Sequence, residues 1–261
     1  MMLVAEHLSV AFGGVRAVDD VSLAVASGIV FSIIGPNGAG KTTLFNVISG
    51  LYRPERGRVR LAGEEVTALA PEDLARRGLS RTFQNLQIFF RMSVLENVMV
   101  GRHRHETTGM FADLFHLPAV RRQNLMTREA AAAALEWVGL AAAAERPAGS
   151  LSFGDLKRLE LARALASEPK LLLLDEPAAG CNAVETAGIA AVIRRLSGDG
   201  ITVVLVEHDM RLVMNVSNRI HVLANGRTLA EGNAAEVRTN PAVIAAYLGM
   251  RGAQEAVGAR G

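Results

Sequence analysis

The stretch GPNGAGKTT, Gly35 to Thr43, follows the apolar run IVFSII and holds the residue types needed to grip a polyphosphate. A loop that wraps phosphates must turn its backbone N–H groups inward, and glycines at 35, 38 and 40 permit angles that Cβ-bearing residues resist. With Pro36, Asn37 and Ala39 between them, they build the phosphate-binding P-loop pattern G-x-x-x-x-G-K-[ST], which implies a nucleoside triphosphate. Lys41 would reach the β- and γ-phosphates, the Thr42 hydroxyl would ligate Mg²⁺, and Thr43 leads into a helix whose partial positive N-terminus faces the same anion. Downstream, Asp175 closes the apolar run LLLLD, where a carboxylate can hold Mg²⁺ directly or through water. Glu176 beside it is the natural general base for the water that attacks the γ-phosphate. His208, after the run ITVVLVE, can hydrogen-bond the γ-phosphate and that base, and Gln84 offers a neutral amide to Mg²⁺ or water.

These residues need a scaffold that brings distant segments together. Residues 1–34 read as short strands broken at Gly13-Gly14 and Ser27-Gly28, and Gly57 to Val66 as a strand pair turning at Ala62-Gly63. Pro71 to Gly78 reads as a short helix, and residues 93–165 as mostly helical. The runs at Leu171 to Pro177 and Ile201 to Asp209, with a helix over Val184 to Leu196 between them, are the pattern of a parallel sheet covered on both faces. The fold class is therefore α/β: a β-rich entry, a parallel core and a helical lobe inserted into it. Residues 250–261 lack periodicity and read as a mobile tail.

The chain has 261 residues, half of them hydrophobic, which suits one large domain. Its 28 basic and 26 acidic residues leave a formal charge of +2, so the sequence pI near 9.0 gives no nucleic-acid-binding stripe. Mean hydropathy is +0.23, yet no apolar run reaches the roughly 20 residues that span a bilayer. The start MMLVAEHLSVAF lacks a basic region, and the single cysteine, Cys181, excludes an internal disulfide framework. A cytoplasmic location is expected.

Taken in order, the P-loop, Gln84 in RTFQN, LSFGD (Leu151 to Asp155), LLLLDEP and VLVEHD resemble the ATP-binding subunit of an ABC transporter from about Val4 to Gly249. The resemblance implies a P-loop NTPase (RecA-like) core with an N-terminal antiparallel β subdomain and an inserted helical subdomain, ATP and Mg²⁺ as cofactors, and hydrolysis as the activity. It implies one domain in which 1–92 and 160–249 are the β subdomain and core, and 93–159 the helical and signature lobe. Ser152, Phe153, Gly154 and Asp155 would be signature residues contacting ATP held by a second ATPase subunit. The family generally has glutamine at Asp155; an acid there repels a partner's triphosphate unless it points away or pairs with Lys157 or Arg158. Phe12 matches the place where the family stacks an aromatic on adenine, with core packing as the alternative.

Within the family, RTFQNLQIF, LLLLDEPAAGCN, LVEHDMRLVM and NPAVIAAYLG are similar to the longer ATPase subunit of importers for branched-chain and other hydrophobic amino acids. That implies two membrane permease subunits, an indirect link to a periplasmic binding protein, and a peripheral place on the cytoplasmic face of the inner membrane. Residues 101–128 carry Phe111, Leu114, Phe115 and Leu117 and read either as a docking surface or as ordinary packing on the lobe. An ATPase for lipopolysaccharide export and a soluble ABC ATPase without a transport role are the other readings.

Overall fold

The computed structural model describes residues 1–103 and 118–247. The expected features at Phe111, Leu114, Phe115, Leu117 and 250–261 lie outside the described residues. Strands β1 (Leu3–Phe12) and β2 (Val15–Val25) form an antiparallel hairpin closed by Gly13 and Gly14, both at positive φ. With β4 (Arg56–Leu61) and the two-residue β5 (Glu64–Glu65) they make a sheet of order β2-β1-β4-β5. The turn between β4 and β5 is at Ala62-Gly63, as the sequence indicates, with φ of 49° and 89°.

Strand β3 (Val30–Ile34) leaves that sheet and enters a second one of six strands, order β10-β9-β3-β8-β7-β6. Its other members are β6 (Leu79–Arg81), β7 (Leu171–Asp175), β8 (Thr202–Val206), β9 (Arg219–Ala224) and β10 (Arg227–Gly232). Neighbours from β9 to β6 pair in parallel, and β10 folds back antiparallel. Every residue of β3, β7 and β8 is buried, which is why these segments read as unbroken apolar runs rather than alternating ones.

Helices cover both faces: α1 (Lys41–Ile48), α2 (Pro71–Arg76), α6 (Ala183–Gly198), α7 (Met210–Val216) and α8 (Ala234–Thr239). The helical lobe contains α3 (Val94–Val100), α4 (Pro118–Trp137) and α5 (Phe153–Leu165). Ser93 and Glu96 form a capping box that starts α3. Asn97 of that helix is fully buried and satisfied by both backbone groups of Phe89, so it fixes the segment after Gln84 to the lobe. Helix α5 continues unbroken through residues 159 and 160, joining lobe and core as one rod.

Strand order decides the site. In a parallel sheet the C-terminal ends of β3, β8, β7 and β6 lie along one edge, and the register puts Ile33, Val206 and Asp175 level. The P-loop, His208, Asp175-Glu176 and Gln84 all leave from that edge.

Candidate functional site

The P-loop is wedged between two other backbones. A Cβ on Gly35 would lie 2.2 Å from the Leu223 carbonyl oxygen, and one on Gly40 2.2 Å from that of Ala17. Both positions also have positive φ, 153° and 97°, so glycine is required on two counts. Gly38 has positive φ and open space around it, while Asn37 and Gly38 are exposed, which leaves the loop's rim accessible. Ala39 is buried, and its carbonyl accepts the Gly226 N–H at 3.1 Å, tying the loop's second half to the β9–β10 turn.

Helix α1 opens without any side-chain cap and without an acidic residue in its first turn. Its leading N–H groups and the positive end of its dipole are therefore open to an anion. The Lys41 ammonium donates to the carbonyls of Gly35 at 2.7 Å and Pro36 at 2.9 Å, so it curls over its own loop. Burial lowers the Lys41 pKa, and nearby Glu176 opposes that shift. Thr42 is exposed and Thr43 half-buried beside it.

Asp175 is buried at the end of β7, and Arg81 donates to its Oδ2 at 3.0 Å. Burial raises its pKa, and the guanidinium counters that. Glu176 follows with φ of 48°, an uncommon left-handed conformation for a residue with a side chain, worth on the order of 1 kcal/mol of local strain. Its backbone N–H is held by the Val206 carbonyl at 2.9 Å, and Gln84 Nε2 donates to its Oε2 at 3.3 Å. His208 Nδ1 lies 3.6 Å from Glu176 Oε1, near but beyond a hydrogen bond. The structure thus gathers Lys41, Gln84, Asp175, Glu176 and His208, which the sequence scatters over 168 positions.

The signature residues form a second cluster. Ser152 caps α5 by accepting the Asp155 N–H at 3.2 Å. The Asp155 carboxylate pairs with Arg158, one of the two partners the sequence offered, so its charge is neutralised within the helix. The Phe153 ring is exposed and lies against Gly180, where an added Cβ would be 3.0 Å from it. Gly154 donates its N–H to Glu185 Oε1 at 3.1 Å, and a Cβ there would strike that carboxylate at 2.5 Å. Phe12 is 49% exposed and meets Tyr52 edge to face at 5.4 Å between centroids, which rules out simple core packing.

Three further residues bridge elements around the site. Glu185 bridges Gly154 to Asn182 and completes the capping box of α6. Glu207 is buried and accepts the N–H groups of Ala178, His208 and Asp209, fixing the two loops that carry Glu176 and His208. Its signal was an acid closing an apolar run, overshadowed by the histidine beside it. Arg81 is the third. No group of three or more His, Cys, Asp or Glu side chains placed to hold a metal ion occurs among the described residues.

A phosphate-cradling loop at the carboxyl edge of a parallel sheet, facing a carboxylate pair, defines a P-loop nucleoside triphosphatase. Comparison narrows the class. Residues 18–179 match the ABC transporter family, and residues 227–249 match the branched-chain amino acid ATP-binding cassette transporter family. The high-affinity branched-chain amino acid transport ATP-binding protein BraF of Pseudomonas aeruginosa is 47% identical over 249 residues, 95% of this chain and 98% of that protein. LivG of Escherichia coli K12, of the same description, is 43% identical over the same shares. Among solved structures, the ADP conformation of MJ1267, an ATP-binding cassette of an ABC transporter, superposes with a TM-score of 0.84 at 35% identity, covering 95% of this chain and 98% of that one. The chain belongs to the ABC transporter family and is an ATP-binding, ATP-hydrolysing cassette.

Proposed function

We propose that this ATPase powers the uptake of branched-chain or other hydrophobic amino acids, or related amides, through separate membrane subunits. The observation that carries the reading is end-to-end likeness to branched-chain amino acid transport ATP-binding proteins, including the C-terminal segment over 227–249.

In this reading Gly35 to Thr43 bind the phosphates of ATP, and Lys41 exchanges its loop carbonyls for phosphate oxygens. Phe12, exposed at the end of β1, stacks on the base. Thr42, Gln84 and Asp175 supply the hydroxyl, amide and carboxylate that suit Mg²⁺, whose bound charge offsets that of the phosphates. Glu176 takes the proton of the attacking water, with Gln84 and His208 bracketing its two oxygens.

Ser152, Phe153 and Gly154 face the ATP of a second ATPase subunit, with the Asp155 carboxylate beside them turned to Arg158. Phe153 is exposed against Gly180, and Val184, at 83% exposure, precedes the Glu185 that accepts the Gly154 N–H, which supports such a face. A cassette structure of an ABC transporter bound to ADP and Pi, 26% identical with a TM-score of 0.73 and covering 89% of this chain and 99% of that one, is described as dimeric. A groove of about 260 Å³, lined by Leu51, Pro71, Leu79 and Phe83 together with Ser49 and Arg81, is the place we assign to a permease. No described helix is long and apolar enough to cross a membrane, so the span would come from those two permeases, with this subunit peripheral on the cytoplasmic face. The β subdomain and core over 1–92 and 160–249 then carry catalysis, and the lobe over 93–159 carries the signature.

Affinity purification of the tagged protein from detergent-solubilised native membranes, with mass spectrometry and an ATPase assay of the eluate, tests this. Two permeases and a shorter ATPase are the expected companions. Lipid-export permeases would favour the exporter reading, and ATPase activity without any membrane partner would favour a soluble role.

A further inference from the structure

One buried side chain of the site has no part in the mechanism above. Arg81, at the end of β6, has a side chain 9% exposed, and its guanidinium joins three elements. Nη2 donates to Asp175 Oδ2 at 3.0 Å; Nη1 donates to Asn46 Oδ1 at 2.8 Å and Ser49 Oγ at 2.6 Å on the P-loop helix side. Its Cζ lies over the rings of Phe45 at 5.0 Å and Phe83 at 5.5 Å, so the guanidinium touches both α1 and the residue preceding Gln84. The neighbouring Thr82 reinforces the link: its hydroxyl accepts the Asp175 N–H at 3.3 Å, and its N–H donates to Leu173 at 2.9 Å.

This geometry is costly unless it does something. Arg81 Nε is buried with no hydrogen-bond partner, a desolvation cost that an ordinary core residue would avoid. What the fork achieves is specific. It occupies Asp175 Oδ2, leaves Oδ1 without a hydrogen bond among the described residues, and sets the carboxylate relative to the helix that begins with Lys41 and Thr42. A lysine, with one ammonium, cannot reproduce a planar fork that bonds Asp175, Asn46 and Ser49 at once.

We propose that Arg81 is a positioning residue for the Mg²⁺-nucleotide site, holding the Asp175 carboxylate in fixed relation to the P-loop helix while packing Phe83 to set the start of the Gln84 segment. The inference rests on the assignment of Asp175 to Mg²⁺. Arg81 does not touch nucleotide in this role; it acts through Asp175 and Phe83.

The test is ADP binding by calorimetry, in EDTA and in excess Mg²⁺, on the parent, Arg81→Met and Arg81→Lys, with ATP turnover measured alongside. Because the P-loop itself is untouched, Mg²⁺-free affinity should stay within about twofold, while the gain conferred by Mg²⁺ should fall about tenfold in Arg81→Met, the scale of one charge-assisted hydrogen bond. Arg81→Lys should retain part of the gain, and kcat should fall more than KM rises. The double variant Asn46→Ala/Ser49→Ala, which spares the Arg81–Asp175 contact but frees the guanidinium from α1, should also lose part of the gain, and it serves where Arg81→Met does not fold. A full Mg²⁺ gain in these variants would overturn the proposal, as would an equal loss of Mg²⁺-free and Mg²⁺-bound affinity, which marks a purely structural role. A parent protein without any Mg²⁺-dependent gain would overturn the metal assignment itself, and the role of Arg81 with it.

Discussion

Residue chemistry at the P-loop leaves little freedom, because Gly35 and Gly40 press on carbonyls of other strands and Lys41 covers the loop. Lys41→Ala should weaken ATP affinity by about tenfold or more, the loss of a charged contact to phosphate, and unchanged affinity in a binding titration would remove Lys41 from the phosphate site. Asp155 is a different case. From sequence alone its acid threatened a partner's triphosphate, but its ion pair with Arg158 neutralises it. Asp155→Gln should therefore alter ATP turnover by no more than about twofold, as expected for a partly exposed pair, whereas a large rise would mean the carboxylate does face the phosphates. Residues marked by a glycine pattern or by the end of an apolar run, such as Lys41, Asp175 and Glu176, were legible in sequence as neighbours at one edge of the sheet. Those that act by bridging, such as Arg81, Glu185 and Glu207, were not, since their partners lie far off in the chain.

At the scale of elements, the two halves of the site are coupled through helix starts. Glu185 closes the capping box of α6 and reaches the first turn of α5 at Gly154, so one side chain sets both helices. Glu185→Ala should cost about 1 kcal/mol, the worth of a cap, seen as a fall of a few degrees in Tm by calorimetry. Turnover should fall further than ATP affinity, because the P-loop is untouched while the signature turn loosens; parental Tm and turnover would show the bridge to be idle. The strands and helices themselves were readable from apolar runs, glycines and prolines, as with β7, β8 and α2. Harder to foresee was that β3, adjacent in sequence to the β1–β2 hairpin, joins the other sheet. Local pattern shows that a strand is buried, and only the order β9-β3-β8-β7-β6 shows beside what.

Across the whole molecule, the C-terminal β9–β10 hairpin closes the core sheet and backs the P-loop through Gly226 and Leu223. Its internal brace is Glu231, held below the usual carboxylate range by its hydrogen bond to buried His221 and then by Arg219. A depressed folded-state pKa adds stability that is fully present above the unfolded value of about 4.3 and is lost as pH falls through the folded value. Glu231→Gln should thus lower Tm by a few degrees at pH 7, with the gap to the parent closing in acid below about pH 4; a gap independent of pH would refute the ionic brace. The account as a whole requires ATP to be bound between two subunits, P-loop on one side and signature on the other. The most direct measurement is light scattering with size-exclusion chromatography of Glu176→Gln in Mg²⁺ and ATP, with nucleotide quantified in each peak. A dimer carrying two ATP molecules, absent with ADP, alongside turnover reduced by about a hundredfold or more from loss of the base, is the expected result. A monomer that binds ATP yet never dimerises, or a variant that hydrolyses ATP at the parental rate, would contradict it.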